Sequence, residues 1–141
     1  MRPDPCGARL VVGRLIEVWL NDIRTVAEWK AFMNPLRQAV AAAPGRLVIC
    51  ADYRGLRVLT PAVAEAVLAN LKTQNPRHER SVLLVPKNSH TLRLQLDRLV
   101  REAKDPNRRT CVEPAEAEAW LAPHLNDDER ARLILFLGAA A

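Results

Sequence analysis

Residues 46–73, RLVICADYRGLRVLTPAVAEAVLANLKT, decide the fold. The run LVICA at residues 47–51 is apolar without alternation, which is the pattern of a strand covered on both faces. Asp52 stands at its end and a polar loop follows. Thr60 and Pro61 then open a helix. The threonine hydroxyl accepts from a first-turn N–H, and proline at the first helical position gives up an N–H that has no partner there. Val63, Val67, Leu68 and Leu71 repeat at helical spacing and predict its inward stripe.

The same alternation continues in both directions. Upstream, residues 10–12 and 15–20 are apolar and β-branched around Gly13, which predicts an antiparallel opening pair or one bent strand. Thr25 and Glu28 have capping-box spacing, and Val26, Trp29, Phe32, Met33, Leu36 and Val40 recur at three- and four-residue steps, so a helix starts there. Pro35 predicts a kink near Asn34 or a helix in two pieces. Downstream, a strand is predicted over residues 81–85 and a helix capped by Ser89 over 90–103, with Leu92, Leu96, Leu99 and Val100 inward. A short strand at 110–112, a helix from Glu113 and Pro114 to Leu121, and a last helix from Asn126 or Asp127 to Leu137 complete the order, with an Ala-rich end predicted to fray. Strands alternating with helices predict an α/β fold, a mixed and mostly parallel sheet of four to five strands with helices packed on it.

Composition bounds the function. A chain of 141 residues, 49% hydrophobic and 26% charged, fits one globular domain, and no apolar run approaches the roughly 20 residues of a membrane span. The opening MRPDPCGARLVV has neither a secretory nor a transit pattern, so a cytoplasmic location is expected. Cys50 and Cys111 lie in apolar runs and read as reduced, buried thiols, with Cys6 in a Pro-rich tail open to oxidation. His78, His90 and His124 are scattered, so neither a metal site nor a cofactor site is signalled. The net charge of +5 is dispersed, with acids such as Glu79, Asp97 and Glu102 among the arginines, which predicts a solvated basic face rather than a nucleic-acid footprint.

The strand ending in Asp52, the helix opened by Thr60 and Pro61, and the ending RRTCVEPAEAEAWL together resemble the STAS-like fold, in particular its SpoIIAA-like bacterial branch. The resembling residues of the ending are Arg108, Arg109, Val112, Glu113, Ala117, Ala119, Trp120 and Leu121, and the match covers residues 8–122. It implies a flexible tail at 1–7, a STAS/SpoIIAA-like domain at 8–122 and a helical extension at 123–141. Anti-sigma-factor antagonists of the wider family carry a phosphorylatable serine at the start of the helix after the Asp-bearing strand. Here that position holds Leu59, Thr60 and Pro61, so Thr60 is the one hydroxyl available for phosphorylation, and capping alone also accounts for it.

Three functional classes follow. A non-enzymatic regulatory or protein-interaction module is expected to bind its partner through the loop after the central strand, with Asp52, Tyr53, Arg54, Arg57 and Thr60 as contacts. Asp52 accepting bonds within its own loop is the plainer alternative. A lipid or other small hydrophobic ligand is the second class, implied by similarity to Sec-14-like lipid carriers, with a pocket between the sheet and the kinked helix at Trp29, Phe32 and Met33. An enzyme is the third: Asp52, His78, His90 and Glu113 are its only acid–base groups, and nothing in their spacing joins them. The last helix ends in ARLILFLG, which either packs back on the domain or offers Leu133, Leu135 and Phe136 as a homodimer surface.

Overall fold

The computed structural model describes residue 2 and residues 4–138; residues 139–141, where fraying is predicted, lie outside the described residues. Along the chain run β1 (Gly7–Leu10), β2 (Leu15–Asn21), α1 (Val26–Ala42), β3 (Leu47–Gly55), α2 (Pro61–Gln74), β4 (His78–Leu84), α3 (His90–Glu102), β5 (Arg108–Cys111), α4 (Pro114–Leu121) and α5 (Asp127–Gly138). The protein is α/β. Its five strands lie in one sheet in sequential order, β1 antiparallel to β2 and every later pair parallel.

Sequential order dictates the layers. Each β-α-β crossover steps one strand in the same direction with the same right-handed sense, so α1, α2 and α3 fall on one face of the sheet. Ile16, Val18, Ile49, Ala51 and Leu83 point at them. The alternate residues Leu15, Trp19, Val48, Cys50, Val82 and Leu84 point the other way and meet Ala117 and Leu121 of α4 and Leu133, Phe136 and Leu137 of α5. This is why residues 47–51 show no alternation: both faces of β3 are covered.

Local signals account for the element ends. Thr25 and Glu28 form the reciprocal capping box, Thr60 accepts from the Val63 N–H, and Asn126 with Glu129 makes a second reciprocal pair that opens α5. Ser89 stands at the N-cap of α3 without a side-chain bond. α1 runs as one helix through Pro35 rather than as two pieces; Ala31, whose carbonyl loses its partner, is exposed. The opening resolves as an antiparallel pair joined by a turn with Gly13 at φ 58°. Gly55 is required by close approach, because a Cβ there would collide with the Asn21 amide.

Packing departs from the expected boundaries at both ends. Residues 1–7 are predicted as a flexible tail, yet Arg2 bonds Asp52 and the Phe136 carbonyl, and the Trp19 indole donates to the Asp4 carbonyl. Residues 123–141 are predicted as an extension, yet α5 helps to build the second helical layer. Glu17, fully buried on β2, fastens it through Arg132 while also accepting from Arg9. Leu133 and Phe136, two of the three expected surface residues, are therefore interior, and Leu135 is exposed beside Ile134.

Candidate functional site

The end of β3 holds the expected contact residues, and the structure separates them. Asp52 is 3% exposed. Its carboxylate accepts from Arg54 Nε and Nη2 at 3.0 and 2.9 Å, from the Arg54 backbone N–H, and from Arg2 Nη1 at 2.7 Å. Burial pushes the Asp52 pKa up, but the hydrogen bonds from Arg54 and Arg2 outweigh it and hold the carboxyl below its usual range. Arg54 and Arg2 also donate to the Leu137 and Phe136 carbonyls, so this cluster ties the chain start and α5 to the strand end. Tyr53 is buried among the α1–α3 core, where desolvation raises its pKa. Arg57 and Thr60 are exposed.

A polar cleft of about 530 Å³ lies over these strand ends, lined by Arg2, Asn21, Asp52, Arg54, Lys87 and Glu113 among others. Both of its carboxylates are engaged within the chain, Glu113 by Lys87 at 2.9 Å and Asp52 by Arg2 and Arg54 together. A sheet in sequential order also lacks the strand-order reversal at which open α/β sheets form a ligand crevice.

The structure brings His78 of β4 against its strand neighbour Ser81 and the distant Asp105. His78 Nε2 is 2.7 Å from Ser81 Oγ and Nδ1 is 2.7 Å from Asp105 Oδ2, the connectivity of a serine–histidine–acid array. Access decides against that chemistry: His78 and Ser81 are 1% and 5% exposed, and the only space beside Ser81 among the described cavities is about 20 Å³, room for one water. Burial first, then the nearby Arg108 guanidinium, lower the His78 pKa against the pull of Asp105. His90 and Glu113 contribute nothing to this array, Glu113 being paired with Lys87. Cys50 and Cys111 are likewise buried, which raises both thiol pKa values, that of Cys111 to about 12.

The Arg-Arg and Trp-Leu residues of the ending are structural. Arg108 is buried and donates to Asn75 Oδ1 and the Leu71 carbonyl. Trp120 lies between guanidiniums, Arg80 at 3.6 Å and Arg109 at 4.3 Å from its ring centroid, and its indole donates to the Ser81 carbonyl.

The strongest candidate site lies elsewhere, in an apolar groove of about 660 Å³ between α1 and α2. Trp29 and Met33 line it with Val26 and Val40, but the pocket expected from the sequence lies between the sheet and α1, whereas this groove lies between the two helices and Phe32 turns inward to the core. The groove is open where α2 presents the small Ala66, Ala69 and Thr73, beside Asn70 and Gln74, which do not fill the space opposite the larger α1 side chains. Small residues at helical spacing carry no signal in a sequence read for large apolar stripes, so this wall was not foreseen. Among the described residues there is no cluster of three metal-ligating side chains, and no helix is long and apolar enough to cross a membrane.

No protein-family model, curated protein or solved structure matches the chain.

Proposed function

We propose that the chain is a cytoplasmic, non-enzymatic binding domain that takes a small hydrophobic ligand into the groove between α1 and α2. One observation carries this reading: a concave apolar space of about 660 Å³ within the usual range for small-molecule sites, bounded by two helices on a rigid sheet. In the polar cleft, by contrast, both carboxylates are engaged by cations of the same chain, and the space beside the His78–Ser81 array is about 20 Å³. Binding of the neutral dye Nile red tests it. Wild type should saturate with enhanced, blue-shifted fluorescence, and Ala69→Trp, which fills the groove from an exposed position, should weaken binding at least roughly tenfold with an unchanged unfolding midpoint. Equal binding by both proteins removes the groove from consideration.

A second reading retains the STAS/SpoIIAA-like resemblance and a protein partner. Arg57, Thr60 and Val58, the last 52% exposed, form the solvent-facing part of the loop after β3 and support it. A partner captured by wild type and lost on Arg57→Ala, Val58→Ala substitution would favour this reading over the groove.

A further inference from the structure

The groove has a direction. α1 and α2 lie on the same face as consecutive crossovers of a parallel sheet, so they run parallel and their C-terminal ends lie together. Arg77 closes that end, donating to the Val40, Ala43 and Gly45 carbonyls. Towards it the lining mixes the polar Arg37, Asn70, Thr73 and Gln74 with the apolar Val40, Ala41 and Leu47. Towards the N-terminal end it is apolar, with Val26, Trp29, Met33 and Ala66, and only Lys30 on the rim. Trp29 and Arg37 are eight residues apart on α1, roughly 12 Å along the helix, so the apolar and polar ends are separated by about the length of a medium acyl chain.

The charge is one-sided. Lys30, Arg37 and Arg77 are the charged residues of the lining, and no carboxylate is among them. Arg77 has its donors engaged by carbonyls, whereas neither Lys30 nor Arg37 has an acidic partner among the described residues. The negative ends of two helix dipoles also meet here, each equivalent to about half an elementary charge. Arg37 and Arg77 together carry twice the charge needed to offset them, and Arg77 covers the last carbonyls of α1 directly. This end of the groove therefore keeps a net positive charge, with the exposed Arg37 guanidinium at its rim.

Resting on the reading of the groove as a hydrophobic-ligand site, we infer that its ligand is a single-chain anionic amphiphile of the fatty-carboxylate class. The acyl chain lies along Met33 and Trp29 towards Val26. The carboxylate accepts from Arg37 beside the Asn70 and Gln74 amides, a charge-assisted contact that a neutral head cannot make. Lys30, two turns away on the rim, adds to the field without touching the same head group.

Matched chains that differ only in head group separate this inference from the reading beneath it. Dodecanoate, dodecanol and dodecyltrimethylammonium are titrated below their aggregation limits at pH 8, following the heat of binding, into wild type, Lys30→Gln/Arg37→Gln and Ala69→Trp. Dodecanoate is expected to bind at least roughly tenfold more tightly than dodecanol, with the cation weakest, and the preference should shrink with added salt. In Lys30→Gln/Arg37→Gln the preference should vanish while dodecanol binding stays as in wild type; both side chains are exposed, so folding is retained. Equal binding of dodecanoate and dodecanol to wild type overturns the anionic head group and leaves the groove reading standing. A dodecanoate preference that survives in Lys30→Gln/Arg37→Gln overturns the assignment to these cations. Failure of all three ligands, or binding untouched by Ala69→Trp, overturns the groove reading and the inference together. Association only with anionic phospholipid vesicles identifies a membrane surface as the occupant and overturns a free amphiphile.

Discussion

The strand-end cleft and the helical groove are similar in volume, about 530 and 660 Å³, and opposite in chemistry. The cleft is rich in charge and every ionic group described at Asp52 and Glu113 is paired inside the chain. The groove is poor in charge and leaves its two rim cations unpaired. A charged cluster that satisfies itself is a structural fastener, whereas an apolar space with unmatched cations retains binding capacity. Prominent residues such as Asp52 thus lie in an internal ion-pair cluster, and inconspicuous alanines border the open space.

The comparison breaks most readily at Asp52. Asp52→Ala removes the acceptor shared by two partly buried arginines, and the expected loss is about 3–5 kcal/mol in urea unfolding, with Nile red binding by the remaining folded protein unchanged. A loss below about 1 kcal/mol would make the cluster a surface ion pair and return Asp52 to the candidate partner contacts. Of similar or slightly smaller size is the second-layer test. Leu133→Ala, at a fully buried position, should cost about 2–4 kcal/mol, while Leu135→Ala, at 66% exposure, should stay within about 0.5 kcal/mol, both read by thermal or urea unfolding. Equal small effects would show that α5 does not depend on this packing.

Acidification sharpens the contrast further. The folded-state pKa of His78 is depressed, so the unfolded chain binds its proton first; the stability held by neutral His78 is complete above the ordinary imidazole value of 6.5 and falls as pH drops through it. Asp52, Asp105 and Glu79 have lowered carboxyl pKa values, that of Glu79 at about 2 through Arg14, so their contributions are lost only below the ordinary carboxylate range. Unfolding free energy measured between pH 8 and 5 should therefore decline in wild type and flatten in His78→Gln. A slope unchanged by that substitution would place the titration elsewhere. The smallest effect is at Thr60: Thr60→Ala should cost about 1 kcal/mol, the worth of an N-cap, as read by the same unfolding assay.

Much of the fold was legible. The unalternating run at 47–51 foretold a doubly covered strand, and Thr25 with Glu28, like Thr60 with Pro61, marked helix starts to the residue. Trp29 and Met33 were legible as apolar α1 residues, but the sequence pointed to a pocket against the sheet and not to the space beside α2. Strand ends were less so: β3 continues to Gly55 and β4 begins at His78, because ladder pairing with neighbours extends strands through polar residues that pattern alone assigns to loops. Asp52 stood out, but its partner Arg2 lies 50 residues away and could not be seen.

The sequence by itself determined the order of elements, the helix caps and the two-faced burial of the central strand. Backbone hydrogen bonding and side-chain periodicity act within a few residues, and a linear pattern records them directly. Only the tertiary structure decided that α5 would cover the second face of the sheet, that His78 would meet Asp105, that Asp52 would be engaged by Arg2, and that α1 and α2 would leave a groove between them. Each depends on contacts between distant segments, and on the volume left where small side chains face large ones, which no local spacing encodes.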